Sequence, residues 1–522
     1  MTMMLNRLIA VLIVAAGLAL AAPAKAEWLR GESEHFIVYG DTSERAMTRY
    51  VQKLERFDQL LRLYLPAQSE FIAPKLPIYM VRSNSQMREV WPDIPREVGG
   101  FYARGEERIF AMAGEGGEND SVLLHEYAHH YMFQHFNAPY PAWFVEGFAE
   151  YYSTAELTPT RVRIGLNSPG RMNSLTGGLN SWGSMDALLA ARRTGRNRIV
   201  GHAFYAQAWA LTHYLMSSPE RQAMLSAYLR AVGGGADPVA ALDGTINRTP
   251  EQLQGDVHRY MSGSIQNFTP QHAFVDAEVA IRPLSAAERD SLWLDLRLAR
   301  FVPEPLRAGN LQEALTLHQR HPGEPMPARV LAQAYLDMQQ PAEAVAVLTP
   351  IVAAHPEDAL SLRMMAVSLM DQGDGEESAE RKAELYALAR PHLARAYQQE
   401  AGDYRIYLAL ARNREGAPGY PTENDLQTLV LAAELAPQLP SVRMKAARGL
   451  MHYGQHVQAI LLLRPVANDP HGGSNLGAVR TLLSQAYAGA GLTPTGDAVA
   501  QEGEQDDPDA ERPDEEDDVE AG

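Results

Sequence analysis

The chain has 522 residues, 46% of them hydrophobic, which is enough material for two or three domains with cores of their own. It contains no cysteine, so disulfides and thiolate-ligated metals are excluded, and any metal site must be built from imidazoles and carboxylates. The formal net charge is −18, but residues 502–522 alone carry 12 acids against one arginine. The rest is therefore only mildly acidic, and no basic patch argues for a nucleic-acid partner.

Residues 1–26 open with a basic position at Arg7, continue through an apolar run at 8–22 and finish on Ala24-Lys25-Ala26. That pattern predicts a secretory signal peptide cleaved after Ala26, and so a periplasmic (or secreted) mature protein. The run is shorter than the ~20 residues of a membrane span, and no later stretch is apolar enough to supply one. The mature chain then predicts a strand at 35–39 and a helix at 43–65. In that helix Ala46, Tyr50, Leu54, Phe57 and Leu61 recur at threes and fours before Pro66 stops it. A strand at 76–81 follows, then a hairpin with arms at 101–103 and 108–112 around Arg104-Gly105-Glu106-Glu107.

Asp120 or Ser121 is the expected cap of a buried helix running to about Phe136, and Pro139-Tyr140-Pro141 starts the next. These two helices carry the chemistry. His125 and His129 are one helical turn apart on one face, the spacing at which two imidazoles grip a single Zn²⁺. Glu126, between them, is placed to take a proton from a water at that ion. Glu146 on the second helix is the candidate third ligand. Glu150, one turn further on, is placed to accept the free ring N–H of a ligand histidine and fix its tautomer. His130 and His135 share the first helix but fall off the ligand face, and are expected to be structural or solvated.

His125-Glu126-x-x-His129 followed by Trp143-x-x-Glu146-Gly147-Phe148-Ala149-Glu150-Tyr151 resembles the gluzincin metallopeptidases. The nearest likeness is to the bacterial peptidase-MA-like domain, with the aminopeptidase N and thermolysin branches more distant. The resemblance covers about half the chain, from Trp28 to about residue 265. It implies zinc on His125, His129 and Glu146, Glu126 as general base, and Glu150 supporting a ligand histidine. It also implies a small mixed sheet whose edge strand, taken as 109–114, binds extended substrate. The aminopeptidase branch has an oxyanion-stabilising Tyr some sixty positions past the third ligand. Tyr205 stands 59 past Glu146, with His202 as the reserve. The branch's Gly-x-Met-Glu-Asn motif for a free amino terminus has no match in Phe110-Ala111-Met112-Ala113-Gly114-Glu115, which favours an endopeptidase, with Glu115 as a candidate stand-in for that role.

The Gly/Ser/Asn-rich passage 166–183 is expected to form one wall of the cleft. Helices are predicted at 185–193, 202–217, 219–232 and 249–261, and a connecting strand at 274–281. From 285 the pattern is helical and repeats. His321-Pro322 and His355-Pro356 lie 34 residues apart, and Ala436-Pro437 and Asp469-Pro470 lie 33 apart. This resembles tetratricopeptide repeats, interrupted at 373–378 and 413–422, which implies a binding face for substrate or a partner protein.

The expected organisation is therefore a signal peptide at 1–26, an α+β gluzincin-like metallopeptidase domain at 27–268, an all-α tetratricopeptide-like solenoid at 285–495 and an acidic disordered tail at 496–522. The expected function is an exported zinc peptidase with one ion per chain. The rivals are a non-catalytic periplasmic scaffold with a vestigial or structural zinc site, and zinc hydrolysis of a non-peptide amide.

Overall fold

A computed structural model describes residues 27–67, 73–95, 98–114, 118–136, 138–176, 182–190, 202–469 and 475–494. The expected signal peptide and acidic tail lie outside them.

The chain begins with strands β1 (Glu27–Glu32) and β2 (Phe36–Thr42) and helix α1 (Glu44–Tyr64), whose cap Ser43 accepts from the Ala46 amide. β3 (Leu76–Val81), a short α2 (Asn84–Val90) and the hairpin β4 (Gly100–Arg104) and β5 (Ile109–Gly114) follow. The motif helices are α3 (Glu118–His135) and α4 (Ala142–Ser153). α3 starts before Asp120, so the expected cap residue sits inside the first turn, where its carboxylate meets Lys53 of α1 at 2.5 Å.

Next come the two-residue strands β6 (Glu156–Leu157) and β7 (Val162–Arg163), then α5 (Pro169–Thr176), α6 (Met185–Leu189), α7 (His202–Met216), α8 (Pro219–Gly233) and α9 (Pro250–Met261). The Gly/Ser/Asn-rich passage 166–183 thus contains a helix, α5. β8 (Ala280–Pro283) shares only its first two residues with the connecting strand expected at 274–281, whose earlier part is not a strand, and it pairs antiparallel with β1.

The sheet has six strands in the order β4-β5-β3-β2-β1-β8. Strand alternation divides its side chains between two cores. Ile78, Met80, Ala111 and Ala113 face α1, α3 and α4, whereas Tyr79, Val81, Phe110 and Met112 face α2 and the next helix, α10 (Ala286–Leu298). The expectation that 109–114 forms the sheet edge is overturned. β5 pairs parallel with β3 on one side and antiparallel with β4 on the other, so its backbone groups are used, and β4 is the edge. The order of a hairpin's two arms across a sheet depends on which arm finds the third strand, and nothing local specifies that.

Beyond α10, antiparallel helices stack in succession: α11 (Glu304–Arg320), α12 (Pro325–Asp337), α13 (Pro341–Ala354), α14 (Ala359–Asp374), α15 (Ala379–Gln399), α16 (Tyr404–Arg414), α17 (Glu423–Leu435), α18 (Pro440–His452), α19 (His456–Ala467) and α20 (Leu476–Ala490). The result is a mixed α+β protein with a small sheet and a solenoid-like helical region. Repetition shows in the backbone. His321, His355, Glu400 and Ala436 end α11, α13, α15 and α17 in one conformation, φ −122° to −144° and ψ 60° to 76°, each amide bonding the carbonyl four residues back. Small residues let the helices approach, with Ala332, Ala344, Ala366, Ala389 and Ala396 buried between neighbours. The interruptions expected at 373–378 and 413–422 are the turns between α14 and α15 and between α16 and α17.

The solenoid does not hang free of the sheet. It grips the tip of the β4–β5 hairpin. Arg363 of α14 pairs with the Glu107 carboxylate at 2.8 Å and holds it below its ordinary pKa. On α16, Tyr404 Oη donates to the Glu106 carbonyl and Arg405 to that of Glu107, both at 2.8 Å. Arg104 reaches Asp469, beyond α19, at 2.6 Å.

Candidate metal centre

α3 sits inside the domain, with residues 122–133 buried apart from the half-buried Glu126. Tyr127 donates to the buried Asp58 of α1 at 2.7 Å, Tyr131 donates to the Leu65 carbonyl, and Phe133 lies under the Arg104 guanidinium. These contacts fix the rotation of the helix about its axis, which turns His125 and His129 toward α4. The second helix is held just as firmly. Gly147 presses α4 against α7, where an added Cβ would sit 2.9 Å from the Ala208 carbonyl carbon.

Three ligating atoms converge between these helices. The Nε2 atoms of His125 and His129 are 3.0 Å apart, and Glu146 Oε2 lies 3.4 Å from the first and 3.2 Å from the second. All three side chains are buried, Glu146 completely. Ligands about 2.0–2.1 Å from a tetrahedral zinc stand roughly 3.4 Å from one another, so this donor set suits such an ion in both spacing and chemistry. With His125 Nε2 turned inward, its Nδ1 faces Glu150, whose Oε1 is 3.3 Å away.

Glu126 is half-buried, one helical turn before His130, whose ring meets Tyr102 of β4. Tyr102 feels the charge of Glu126. Burial pushes the phenol's pKa up, Arg104 pulls it down, and Glu126 adds to the upward push. The same Tyr102 hydroxyl meets His130 Nδ1 at 2.7 Å. His130 is buried and its pKa is pushed down to about 3, first by desolvation and then by His135. Gln438 of the solenoid lies 3.3 Å from the same nitrogen. The face of α3 that carries Glu126 is thus bordered by the edge strand and, one turn on, by the solenoid.

Tyr205 is half-buried in the first turn of α7, with the Arg171 guanidinium 5.3 Å from its ring centroid. The side chain of His202 and the whole of Glu115 lie outside the described residues. Arg171, on α5, was not anticipated. Its Nε and Nη2 donate to the two oxygens of Glu150 at 2.9 and 2.6 Å. A lone arginine in a Gly/Ser/Asn-rich passage carries no periodic signal, and only the fold brings it to α4.

A second group of potential ligands, His35, Glu55 and Asp58, lies behind α3. Here the partners are protein groups. His35 Nδ1 meets Glu55 at 2.8 Å, and Asp58 accepts from Arg62 at 2.5 Å and from Tyr127. This reads as a structural ion-pair network tying β2 and α1 to the motif helix.

Residues 121–233 match a family model described as a protein of unknown function, DUF1570. That span, short of half the chain, contains every candidate residue from His125 to Tyr205. No curated protein matches the chain. Among solved structures, the chain is similar to the crystal structure of a thermophilic TPR protein from Thermus thermophilus. Identity is 16% and the TM-score 0.32, over 38% of this chain and 99% of that one. The repeat character described above rests on the helices themselves. No described helix is long and apolar enough to cross a membrane.

Proposed function

We propose that the chain is an exported zinc-dependent peptidase of the gluzincin type, with one Zn²⁺ per chain on His125, His129 and Glu146. The observation that carries this reading is the convergence of two buried imidazole nitrogens and one buried carboxylate oxygen to within 3.0–3.4 Å, with Glu126 next to the first ligand in the chain. Zinc bound there supplies Lewis-acid activation of water at neutral pH. Glu126 accepts a proton from the water as its oxygen attacks the scissile carbonyl carbon. It passes that proton to the leaving nitrogen as the C–N bond breaks. Tyr205 donates a hydrogen bond to the carbonyl oxygen as charge develops there. Glu150 orients the His125 ring through Nδ1. The edge strand β4 offers backbone groups to an extended substrate, in the manner of strand addition. The helical array is of the tetratricopeptide kind and binds a protein partner or substrate.

The test is stoichiometry followed by one substitution. Purified protein should carry about one zinc per chain. Glu126→Gln should keep the metal and abolish cleavage of unfolded proteins and peptide libraries. Zinc-loaded wild type that cleaves neither would sink the peptidase reading in favour of a scaffold with a structural ion.

A further inference from the structure

Among the described residues before α7, the side chain of Arg171 reaches the centre. Arg171 projects from α5 and grips Glu150 with two parallel N–H···O bonds, at 2.9 and 2.6 Å. This fork-to-carboxylate geometry is the strongest arrangement an ion pair adopts. The pair is well shielded, with side-chain exposures of 15% for Arg171 and 6% for Glu150, so solvent screens it weakly. The guanidinium plane also lies near the Tyr205 ring, 5.3 Å from its centroid. One cation therefore touches both the carboxylate that faces His125 Nδ1 and the candidate oxyanion donor on α7.

We propose that Arg171 is a positioning residue for the metal centre, acting on His125 through Glu150 and on Tyr205 through its ring; this rests on the zinc reading above. Two consequences follow from the chemistry. A carboxylate that shares its lone pairs with a fixed guanidinium cannot rotate, so its Oε1 stays opposite His125 Nδ1. The ring then keeps Nε2 turned toward His129 and Glu146. Without the cation, Glu150 keeps its charge in a buried site but loses the fork that fixes its rotamer, and the His125 tautomer is held less firmly. The second consequence concerns placement. α5 and α7 belong to parts of the chain separated by residues 177–201, and Arg171 joins α4, α5 and α7 at one point.

The experiment is a double-mutant cycle in the full chain, read as apparent zinc affinity by competition with a chromophoric chelator. Arg171→Met should weaken zinc binding about 10- to 100-fold, the usual cost of removing an outer support of a ligand histidine. Glu150→Gln should do the same. The double variant should bind zinc no more weakly than Glu150→Gln alone, because the contact through which Arg171 acts on His125 is that carboxylate. Arg171→Lys keeps the charge but not the fork and should recover only part of the loss. Wild-type affinity in Arg171→Met, or a double loss equal to the product of the single losses, overturns the proposal. If Arg171→Met does not fold, the comparison of the double variant with Glu150→Gln decides it, since removing both charges leaves neither one buried without the other. Wild-type protein that binds no zinc would overturn the zinc reading itself and this inference with it. Zinc-binding wild type with an unaffected Arg171→Met overturns the inference alone.

Discussion

Gly147 follows the candidate ligand Glu146 and marks the closest approach of α4 to α7. A Cβ built there lies 2.9 Å from the carbonyl carbon of Ala208, and closer still to the Ala208 oxygen and Thr212 Oγ1. Non-bonded carbons prefer about 3.5–4.0 Å, so Gly147→Ala forces the helices apart by at least about 0.6 Å. Two effects compete. Alanine improves intrinsic helix stability by about 0.5–1 kcal/mol over glycine. Overpacking a core costs about 1–3 kcal/mol, and here the obstacle includes the backbone of a buried helix that cannot rotate away. The clash wins, with an expected net loss of about 1–2 kcal/mol by these ranges. The displacement falls on the residue next to Glu146, so zinc affinity should drop as well, by about tenfold or more. Chemical denaturation of zinc-free protein measures the first effect and chelator competition the second. Adding Thr212→Ala to Gly147→Ala removes one obstacle but leaves the Ala208 carbonyl, so recovery should be partial. A Gly147→Ala protein as stable as wild type, with unaltered zinc affinity, would refute the close crossing and the rigid placement of Glu146 argued from it.

Three further outcomes are expected. Tyr205→Phe should lower kcat by about 10²–10³ while leaving KM and zinc affinity near wild type, the signature of a donor used only as the oxyanion forms; a change confined to KM would remove Tyr205 from that role. Glu107→Arg places a third cation against Arg363 and Arg405, which already meet at the hairpin tip. The hairpin should release, raising amide exchange across 100–114 and opening new sites to limited proteolysis at 104–108, and an unchanged exchange pattern would mean that the solenoid does not hold it. His213 is fully buried, with Nδ1 2.9 Å from Tyr260 Oη and Nε2 3.0 Å from the Gly165 carbonyl oxygen, and burial pushes its pKa down. The unfolded chain therefore takes up a proton near the ordinary value of about 6.5 while the folded one resists, so this contribution to stability is present above that value and lost below it. Wild type should lose more stability than His213→Gln between about pH 7.5 and 5, read as denaturation midpoints of the zinc-free proteins, and equal losses would exclude the effect.

What could be read from the chain and what could not divide by the range of the interaction. His125 and His129 are placed together by helical geometry alone, and Glu146 comes from the very next helix, so a short turn was enough to suggest that the three meet. The arms of the β4–β5 hairpin were legible for the same reason, since alternation and an intervening turn are local. β1 was not anticipated. Glu27-Trp28-Leu29-Arg30-Gly31-Glu32 has no β-branched residue, and it is a strand because β2 lies on one side of it and β8, some 250 residues later, on the other. The edge position failed likewise, because β5 becomes interior only by pairing with β3. Arg171 and the hairpin clamp belong to this long-range class. A charged residue's partner is chosen by the folded path, and Arg363 meets Glu107 across 256 positions. The distinction bears on function. The donor set can be inferred from two neighbouring stretches of sequence, whereas what holds those donors still is assembled from α5, α7 and the sheet. The solenoid holds the hairpin whose first arm is the sheet edge beside Glu126. A partner that engages the helical array at the hairpin's seat would therefore act on the border of the site, which gives the repeats a physical route to the centre without touching it.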